Sequence, residues 1–107
     1  MKQKNKDLSI KKPKNNSNKV TVNVTNELSI YNIESIKKEI DQLIETYEIL
    51  DISINNLNNM DLSGIQYIHA VKKEVQQKGK EINFSFELNE ELTNLIVKCG
   101  FSELIKN

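Results

Sequence analysis

The sequence predicts an α/β fold in which a four-stranded mixed sheet carries its helices mainly on one face. Two patterns lead to this prediction. In several short segments apolar residues alternate with polar ones, as in strands with one buried face, and between these segments apolar residues recur every three or four positions, as in amphipathic helices. The segments follow the order β-β-α-β-α-β-α. Continuous apolar strands would instead indicate a sheet covered on both faces.

A pair of strands is predicted at the start of the chain. Residues 20–24 alternate three valines with polar residues, which places the valines on one face of a strand. Leu8 and Ile10 flank a serine in the same way upstream. The polar stretch between these segments contains Pro13, which marks a loop. We therefore expect two strands joined by a turn within residues 7–26.

A helix and a third strand follow. Apolar residues between Ile33 and Tyr47 recur at three- and four-residue steps, which is typical of an amphipathic helix. Asn32 is predicted to be its N-cap, with its side-chain oxygen accepting from a first-turn N–H group. Residues 50–54 alternate again and predict a strand. The Asn-rich segment 55–59 is predicted to be a turn.

The C-terminal half repeats the succession of helix and strand. Ser63 and Gln66 form the Ser-x-x-Gln pattern of a capping box, in which the serine would be the N-cap of a second helix. Gly79 is expected to end that helix. Residues 82–88 give the strongest alternation in the chain, and a short helix is expected over residues 90–98. The strand–helix–strand links should be right-handed crossovers between parallel strands.

Length and composition limit the class of protein. At 107 residues the chain is expected to form a single domain over residues 1–107. No apolar run approaches the ~18 residues of a membrane span, and the N-terminal segment lacks the apolar stretch of a secretory signal. We therefore expect a cytoplasmic protein without membrane insertion. Cys99 is the only cysteine, so no intrachain disulfide and no zinc site of the usual kind is expected. No cofactor is expected.

The charges balance to a formal net charge of zero but are unevenly placed. The first nineteen residues contain seven lysines and one acidic residue. Such a segment can contact nucleic acid or anionic lipid. Because the chain contains no arginine and the segment contains no aromatic residue, the favoured interpretation is a solvated edge with a frayed lysine-rich N-terminus at residues 1–6. No nucleic-acid partner is expected.

Four segments together resemble a known family. They are Asn26-Glu27-Leu28, Asp61-Leu62-Ser63-Gly64, Gly79 and Cys99-Gly100-Phe101. In these segments the chain is similar to the STAS domain, named for sulfate transporters and anti-sigma factor antagonists, and the resemblance extends from the first strand to Phe101. It implies a STAS-like fold, a small sheet with helices mostly on one side, which agrees with the pattern of elements above.

The resemblance implies a non-enzymatic signalling domain that switches between protein partners. In anti-sigma factor antagonists the motif reads Asp-Ser-Ser/Thr-Gly, and a partner kinase phosphorylates the hydroxyl residue before the glycine, which by position is Ser63. Leu62 and Ser29 depart from the antagonist pattern, which has serine and aspartate there. The sequence from Leu28 to Tyr31 is more similar to that of STAS proteins encoded beside chemotaxis genes than to that of sporulation or stress antagonists. The expected partner is therefore an anti-sigma factor, its serine kinase or a chemosensory protein.

The roles of the motif residues stay open at this point. Ser63 is either a phosphorylation switch or only a helix N-cap. A phosphate would add about −1.5 to −2 charges, which would prevent docking or, opposite a basic patch of the partner, promote it. Asp61 either assists deprotonation of the hydroxyl or is an acid well placed against the helix dipole. Without a switch, the chain is expected to be a constitutive STAS subunit of a chemosensory or transporter complex.

The partner-binding surface is predicted around the start of the second helix. Tyr31, Tyr67 and Met60 form either an exposed rim for docking or part of the core. His69 is a lone histidine and is expected at the boundary of the helix surface. The sequence lacks a Gly-rich phosphate loop and metal-ligand spacing, so no enzyme is predicted. The residues predicted to contact the partner are Met60, Asp61, Leu62, Ser63, Gly64, Gln66 and Tyr67.

Overall fold

A computed structural model of the protein describes residues 6–13 and 17–105. Its helices and strands follow the predicted order, with a short 3-10 helix added at the end. They are β1 (Leu8–Lys11), β2 (Lys19–Leu28), α1 (Ile33–Thr46), β3 (Ile49–Met60), α2 (Leu62–Gln77), β4 (Glu81–Glu87), α3 (Glu90–Lys98) and the 3-10 helix Ser102–Ile105. The predicted α/β fold is confirmed. The frayed terminus predicted at residues 1–6 lies outside the described residues, apart from Lys6.

The four strands form one mixed sheet in the order β1-β2-β3-β4. β1 is antiparallel to β2, whereas β2, β3 and β4 are parallel to one another. One face of the sheet is apolar, since Val22 and Ile52 are buried as neighbours. The other face carries polar residues such as the exposed Asn83 and Ser85. The alternating pattern of the strands therefore predicted correctly which face the helices cover.

The core lies between the apolar face of the sheet and the helices. α1 contributes Ile36 and Ile40, α2 contributes Ile65 and Ile68, and α3 contributes Ile96, each at most 2% exposed. These side chains and those of the strands belong to one cluster. Full burial of an isoleucine stabilises a fold by about 1.5–3 kcal/mol. The position of α2, which carries the predicted site, is thus fixed by its apolar stripe.

Glycines end the second and third helices, as predicted for α2. Gly79 has a φ of 74°, and its N–H donates to Gln76 O at 3.0 Å. The next N–H, that of Lys80, donates to Val75 O at 3.1 Å. This pair of bonds is the Schellman motif, which requires a left-handed residue. Gly100, with a φ of 86°, ends α3 in the same way.

The Asn-rich segment 55–59 is not a turn, and that prediction is wrong. β3 continues through the segment and stays paired with β2, although the register shifts. The side chain of Asn58 donates to Asn26 Oδ1 at 2.9 Å. The side chain of Asn59 donates to Glu27 Oε2 at 3.1 Å. Hydrogen bonds between neighbouring strands therefore hold a turn-like composition within the sheet, although Asn56 itself is left-handed, with a φ of 51°.

Candidate functional site

The predicted motif lies where β3 passes into α2. β2 and β3 are parallel, and Leu28 pairs with Met60, so the ends of both strands meet at one edge of the sheet. The backbone N–H of Asp61 donates to Leu28 O at 3.4 Å. Residues 29–32, the β2–α1 loop, therefore lie beside the first turn of α2.

Asp61 joins the β2–α1 loop to α2. It is the N-cap of α2, with an extended backbone, and its Oδ1 accepts from the Gly64 N–H at 3.1 Å. Its Oδ2 accepts from the Ile30 N–H at 3.0 Å. One carboxylate thus caps the helix and fixes the loop. Of the two roles weighed for Asp61, that of an acid placed against the positive end of the helix dipole agrees with this geometry.

The capping box predicted at Ser63 and Gln66 is wrong. Ser63 is the second residue of α2, and the N-cap is Asp61, which accepts from the Gly64 N–H, whereas a serine cap was expected to accept from the Gln66 N–H. Serine and aspartate are both good N-caps. Asp61 occupies the position because its second oxygen also bonds the loop, a contact that spacing in the sequence does not reveal. Ser63 is thereby released from capping, and Gln66 is exposed.

Gly64 is required by close packing. A Cβ atom at this position would lie 2.2 Å from the Leu28 carbonyl oxygen and 2.9 Å from Leu28 Cγ. Both distances are well inside van der Waals contact, and the first obstacle is backbone, which cannot rotate away. Any side chain at Gly64 would therefore push the start of α2 away from the end of β2.

Hydrogen bonds made by polar side chains fix the β2–α1 loop. Ser29 is fully buried, and its hydroxyl donates to Glu27 Oε2 at 2.5 Å and accepts from the Tyr31 N–H at 3.2 Å. Asn32 is the N-cap residue of α1, as predicted, but its side chain accepts from no first-turn N–H of α1, so the predicted capping bond is wrong. Its Oδ1 accepts from the Ser29 N–H at 2.9 Å, and its Nδ2 donates to Asp7 Oδ2 at 3.0 Å.

The supporting role of these loop residues was missed by sequence reasoning. Asp7 is only 6% exposed, and it also accepts from Asn26 Nδ2 at 2.8 Å. The available signal was the group of short polar residues between the apolar end of β2 and the apolar stripe of α1, a composition that favours side-chain to backbone bonds. Asp7, just before β1, was out of reach of that signal, because it lies 25 positions from Asn32.

Three apolar side chains are exposed beside the motif. Ile30, Tyr31 and Leu62, here called the apolar rim, are 61%, 86% and 46% exposed. Ile30 lies beside Asp61 because its N–H donates to the Asp61 carboxylate, and Leu62 follows Asp61 in the chain. Apolar side chains that are grouped on a surface mark interaction sites more often than scattered ones. Met60 is 5% exposed and lies in the core, so it is not part of this rim.

Tyr67 and His69 lie further along α2. Tyr67 is half-buried, and burial, followed by the nearby carboxylates of Asp41 and Glu74, raises the pKa of its hydroxyl well above the ordinary value. Among the described residues this hydroxyl has no hydrogen-bond partner. His69 is exposed, and its ring lies 5.3 Å from that of Phe101, which confirms the surface position expected for it.

The environment of Ser63 is suited to a negatively charged group. Ser63 lies in the first turn of a 16-residue helix, where backbone N–H groups are open and the helix dipole stabilises an anion by about 0.3–1 kcal/mol.

Within residues 6–13 and 17–105, no three His, Cys, Asp or Glu side chains form a group that could hold a metal ion. In the same ranges, every helix is too short or too polar to cross a bilayer.

Comparison with known proteins adds relatives in sequence and in fold. A model of the STAS domain family matches residues 9–107. The fold is similar to that of the anti-sigma factor antagonist SpoIIAA in its unphosphorylated form, with a TM-score of 0.66 and 15% identity over 92% of this chain and 85% of that chain. The phosphorylated form of SpoIIAA, described as a Bacillus cell fate determinant, gives a TM-score of 0.67 and 14% identity over 92% and 88% of the two chains.

A third similar structure belongs to a much longer chain. It is described as Mglu, and the similarity covers 72% of this chain and 19% of that one, with a TM-score of 0.58 and 13% identity. No curated protein sequence matches the chain significantly. The structural similarities, all at 15% identity or below, concern the fold.

Proposed function

The chain belongs to the STAS domain family, and from this premise we propose that it is a non-enzymatic partner-switching domain. It binds a regulatory protein through the β2–α1 loop and the start of α2, and phosphorylation of Ser63 controls the binding. The observation that carries the proposal is the place of Ser63. It is the second residue of α2, free of capping, and it adjoins Leu62 of the apolar rim.

The apolar rim supplies the contact area that such a partner would cover. A phosphate on Ser63 would add about −1.5 to −2 charges at pH 7, next to the carboxylate of Asp61. The positive end of the α2 dipole favours this charge in the free protein. A partner that covers the rim would have to remove it from water, which costs several kcal/mol per unpaired ion. Phosphorylation is therefore proposed to release the partner.

The similar structures support the proposal. SpoIIAA, which shares the fold, is described both in an unphosphorylated and in a phosphorylated form, and one description names it as an anti-sigma factor antagonist. We propose a partner of the same kind, either an anti-sigma factor that is also the serine kinase or a chemosensory protein. The proposed setting is the cytoplasm.

Phosphorylation is tested by intact-mass spectrometry of the protein purified from its own cells. We expect a fraction heavier by the mass of one phosphate, which disappears in Ser63→Ala. The matched control is Ser85→Ala, which removes an exposed serine from the polar face of the sheet and should keep the heavier fraction. Absence of the heavier fraction, or its persistence in Ser63→Ala, would contradict the switch.

Partner binding is tested with the protein that co-purifies with the chain. We expect Ser63→Ala to keep binding and Ser63→Asp to weaken it, because only the second variant places a charge on the covered surface. Equal binding of both variants favours the alternative, a constitutive STAS subunit of a chemosensory or transporter complex. The observation in favour of that alternative is the exposed Leu62, an apolar residue where antagonists have a serine.

A further inference from the structure

β3 extends beyond the end of β4. It pairs with β2 as far as Met60, but its pairing with β4 ends at Asn55. Residues 56–60 of β3 therefore have a neighbouring strand on one side only. Within residues 6–13 and 17–105, no backbone hydrogen bond joins the other side of this segment to α3. A short strand edge is left open, at the place in the sheet where β4 would continue if it were longer.

A groove lies between this open edge and α3. It consists of two hollows of about 490 and 410 Å³ that share Asn58. The apolar part of the lining of the larger hollow is Met60, Leu92 and Leu95, and the rest is polar or charged: Asn58, Asn59, Glu91, Asn94 and Lys98. Asn56 is left-handed, with a φ of 51°, so the extended part of the edge is residues 57–60, which span about 10 Å at ~3.3 Å per residue. The two turns of α3 that line the groove span about 10 Å at ~1.5 Å per residue. The groove is therefore long enough for three or four residues of an extended peptide.

We propose that this groove binds an extended peptide segment of a protein partner by β-strand addition. The peptide would take the place in the sheet that β4 leaves open, so that its backbone pairs with residues 57–60 and its alternate side chains contact Leu92 and Leu95. Open strand edges are templates for such pairing. The site adjoins the Ser63 surface through Met60, but it is a separate site and does not depend on the phosphorylation proposed above.

Charges along the groove define the peptide further. Glu87 lines the end nearest β4, and Glu91 lies on the first turn of α3. Lys98 lines the groove two helical turns further along α3. Charge complementarity therefore selects a peptide with Lys or Arg at the end nearest β4, a small or apolar residue in the middle, and Asp or Glu three or four positions away.

A library of short random peptides displayed on phage provides the probe, selected against the immobilised chain. We expect enriched peptides to carry the basic and the acidic residue at this spacing. A synthetic enriched peptide should shift the backbone amide NMR signals of residues 56–60 and of α3. The same peptide with alternate backbone nitrogens methylated should bind about tenfold more weakly, since it cannot pair as a strand.

Two variants test the groove independently. Leu95→Trp fills the larger hollow and should abolish binding, and Glu91→Lys, at an exposed position outside the core, should weaken it about tenfold. The matched control is Glu34→Lys, the same charge change at an exposed position of α1, which should bind normally. The proposal is overturned if no peptide is enriched, if enriched peptides bind Glu91→Lys and Leu95→Trp as well as the unaltered chain, or if methylated peptides bind equally. Amide shifts caused by self-association of the chain in place of peptide binding would also overturn it.

Discussion

Gly64→Ala is expected to destabilise the protein, although alanine is the better helix former. At an open helix position, replacing glycine by alanine stabilises by about 1 kcal/mol. At Gly64 the new Cβ would lie 2.2 Å from the Leu28 carbonyl oxygen, whereas ordinary contacts begin at 3.4 Å. The first turn of α2 would have to move by the difference, about 1.2 Å, to restore an ordinary contact.

The size of the effect follows from three contributions. Overpacking against a fixed backbone costs about 1–3 kcal/mol. The shift also strains the bond from Ile30 N–H to Asp61, and a typical hydrogen bond contributes about 0.5–1.5 kcal/mol. Alanine returns about 1 kcal/mol through its helix propensity. We therefore expect Gly64→Ala to lower the free energy of unfolding by about 0.5–3.5 kcal/mol, and Tm by about 4–8 °C for each kcal/mol lost.

The measurement is urea unfolding followed by circular dichroism, with backbone amide NMR signals of the β2–α1 loop as a second readout. Ala70→Gly is the control, because Ala70 is an exposed position in the middle of the same helix. It should cost about 1 kcal/mol through propensity alone and leave the loop signals in place. If Gly64→Ala stabilises the protein by the amount that Ala70→Gly costs, the close contact between α2 and β2 does not exist.

Three further predictions concern single side chains. A hydrogen bond from Asn83 holds the pKa of Asp51 below its ordinary value. Its contribution to stability is present above about pH 4 and lost below it, so Asp51→Asn should show a smaller fall in stability during acid urea titrations than the unaltered protein; parallel curves would refute this. Tyr67→Phe should leave stability unchanged or raise it by up to about 1 kcal/mol in thermal melts, because the hydroxyl is buried without a described partner. The absorbance titration of Tyr67→Phe should match that of the unaltered protein up to about pH 10, because the raised pKa keeps the Tyr67 hydroxyl protonated over that range. In urea unfolding, Asp61→Ala should cost about 1–2 kcal/mol and Ser63→Ala less than about 0.5, and the reverse order would restore Ser63 as the cap.

The elements of the fold were predictable where one periodicity extends over a whole segment. α1 repeats its apolar residues at helical steps from Ile33 onward, and β4 alternates over its full length. In such segments the period and the burial agree, and no distant contact is needed to choose between helix and strand. The same alternation also indicated that one face of the sheet stays polar.

The end of β3 was unpredictable for the opposite reason. Residues 55–59 have the composition of a turn, and their local preferences are correctly interpreted as such. They are held in a strand by Asn26 and Glu27, each 32 positions earlier in the chain. A contact at that separation overrides local propensity but leaves no periodic trace in the sequence.

The position of the candidate site at the start of α2 was predictable, but the contacts that shape it were not. The motif around Ser63 was located correctly at the start of a helix, because the change from alternation to helical steps marks that point. The choice of Asp61 as the N-cap depends on Ile30, and the need for Gly64 depends on Leu28. Leu28 ends β2 and Ile30 lies in the β2–α1 loop, more than thirty residues before the motif, so only the packing of the sheet brings them to it.

Because Asp61 and not Ser63 caps α2, helix capping and the proposed phosphorylation belong to two different residues, whereas both were predicted for Ser63. If Ser63 capped α2, a phosphate on it would displace the capping bond, and the switch would act by loosening the helix that the partner contacts. Asp61 instead holds both the cap and the β2–α1 loop without using the serine hydroxyl. A phosphate on Ser63 would then lie on an intact helix and alter only the charge and bulk of the surface. Under the proposed function, Asp61 and Gly64 thus set the shape of the surface that a partner recognises, and phosphorylation of Ser63 determines whether the partner can bind there.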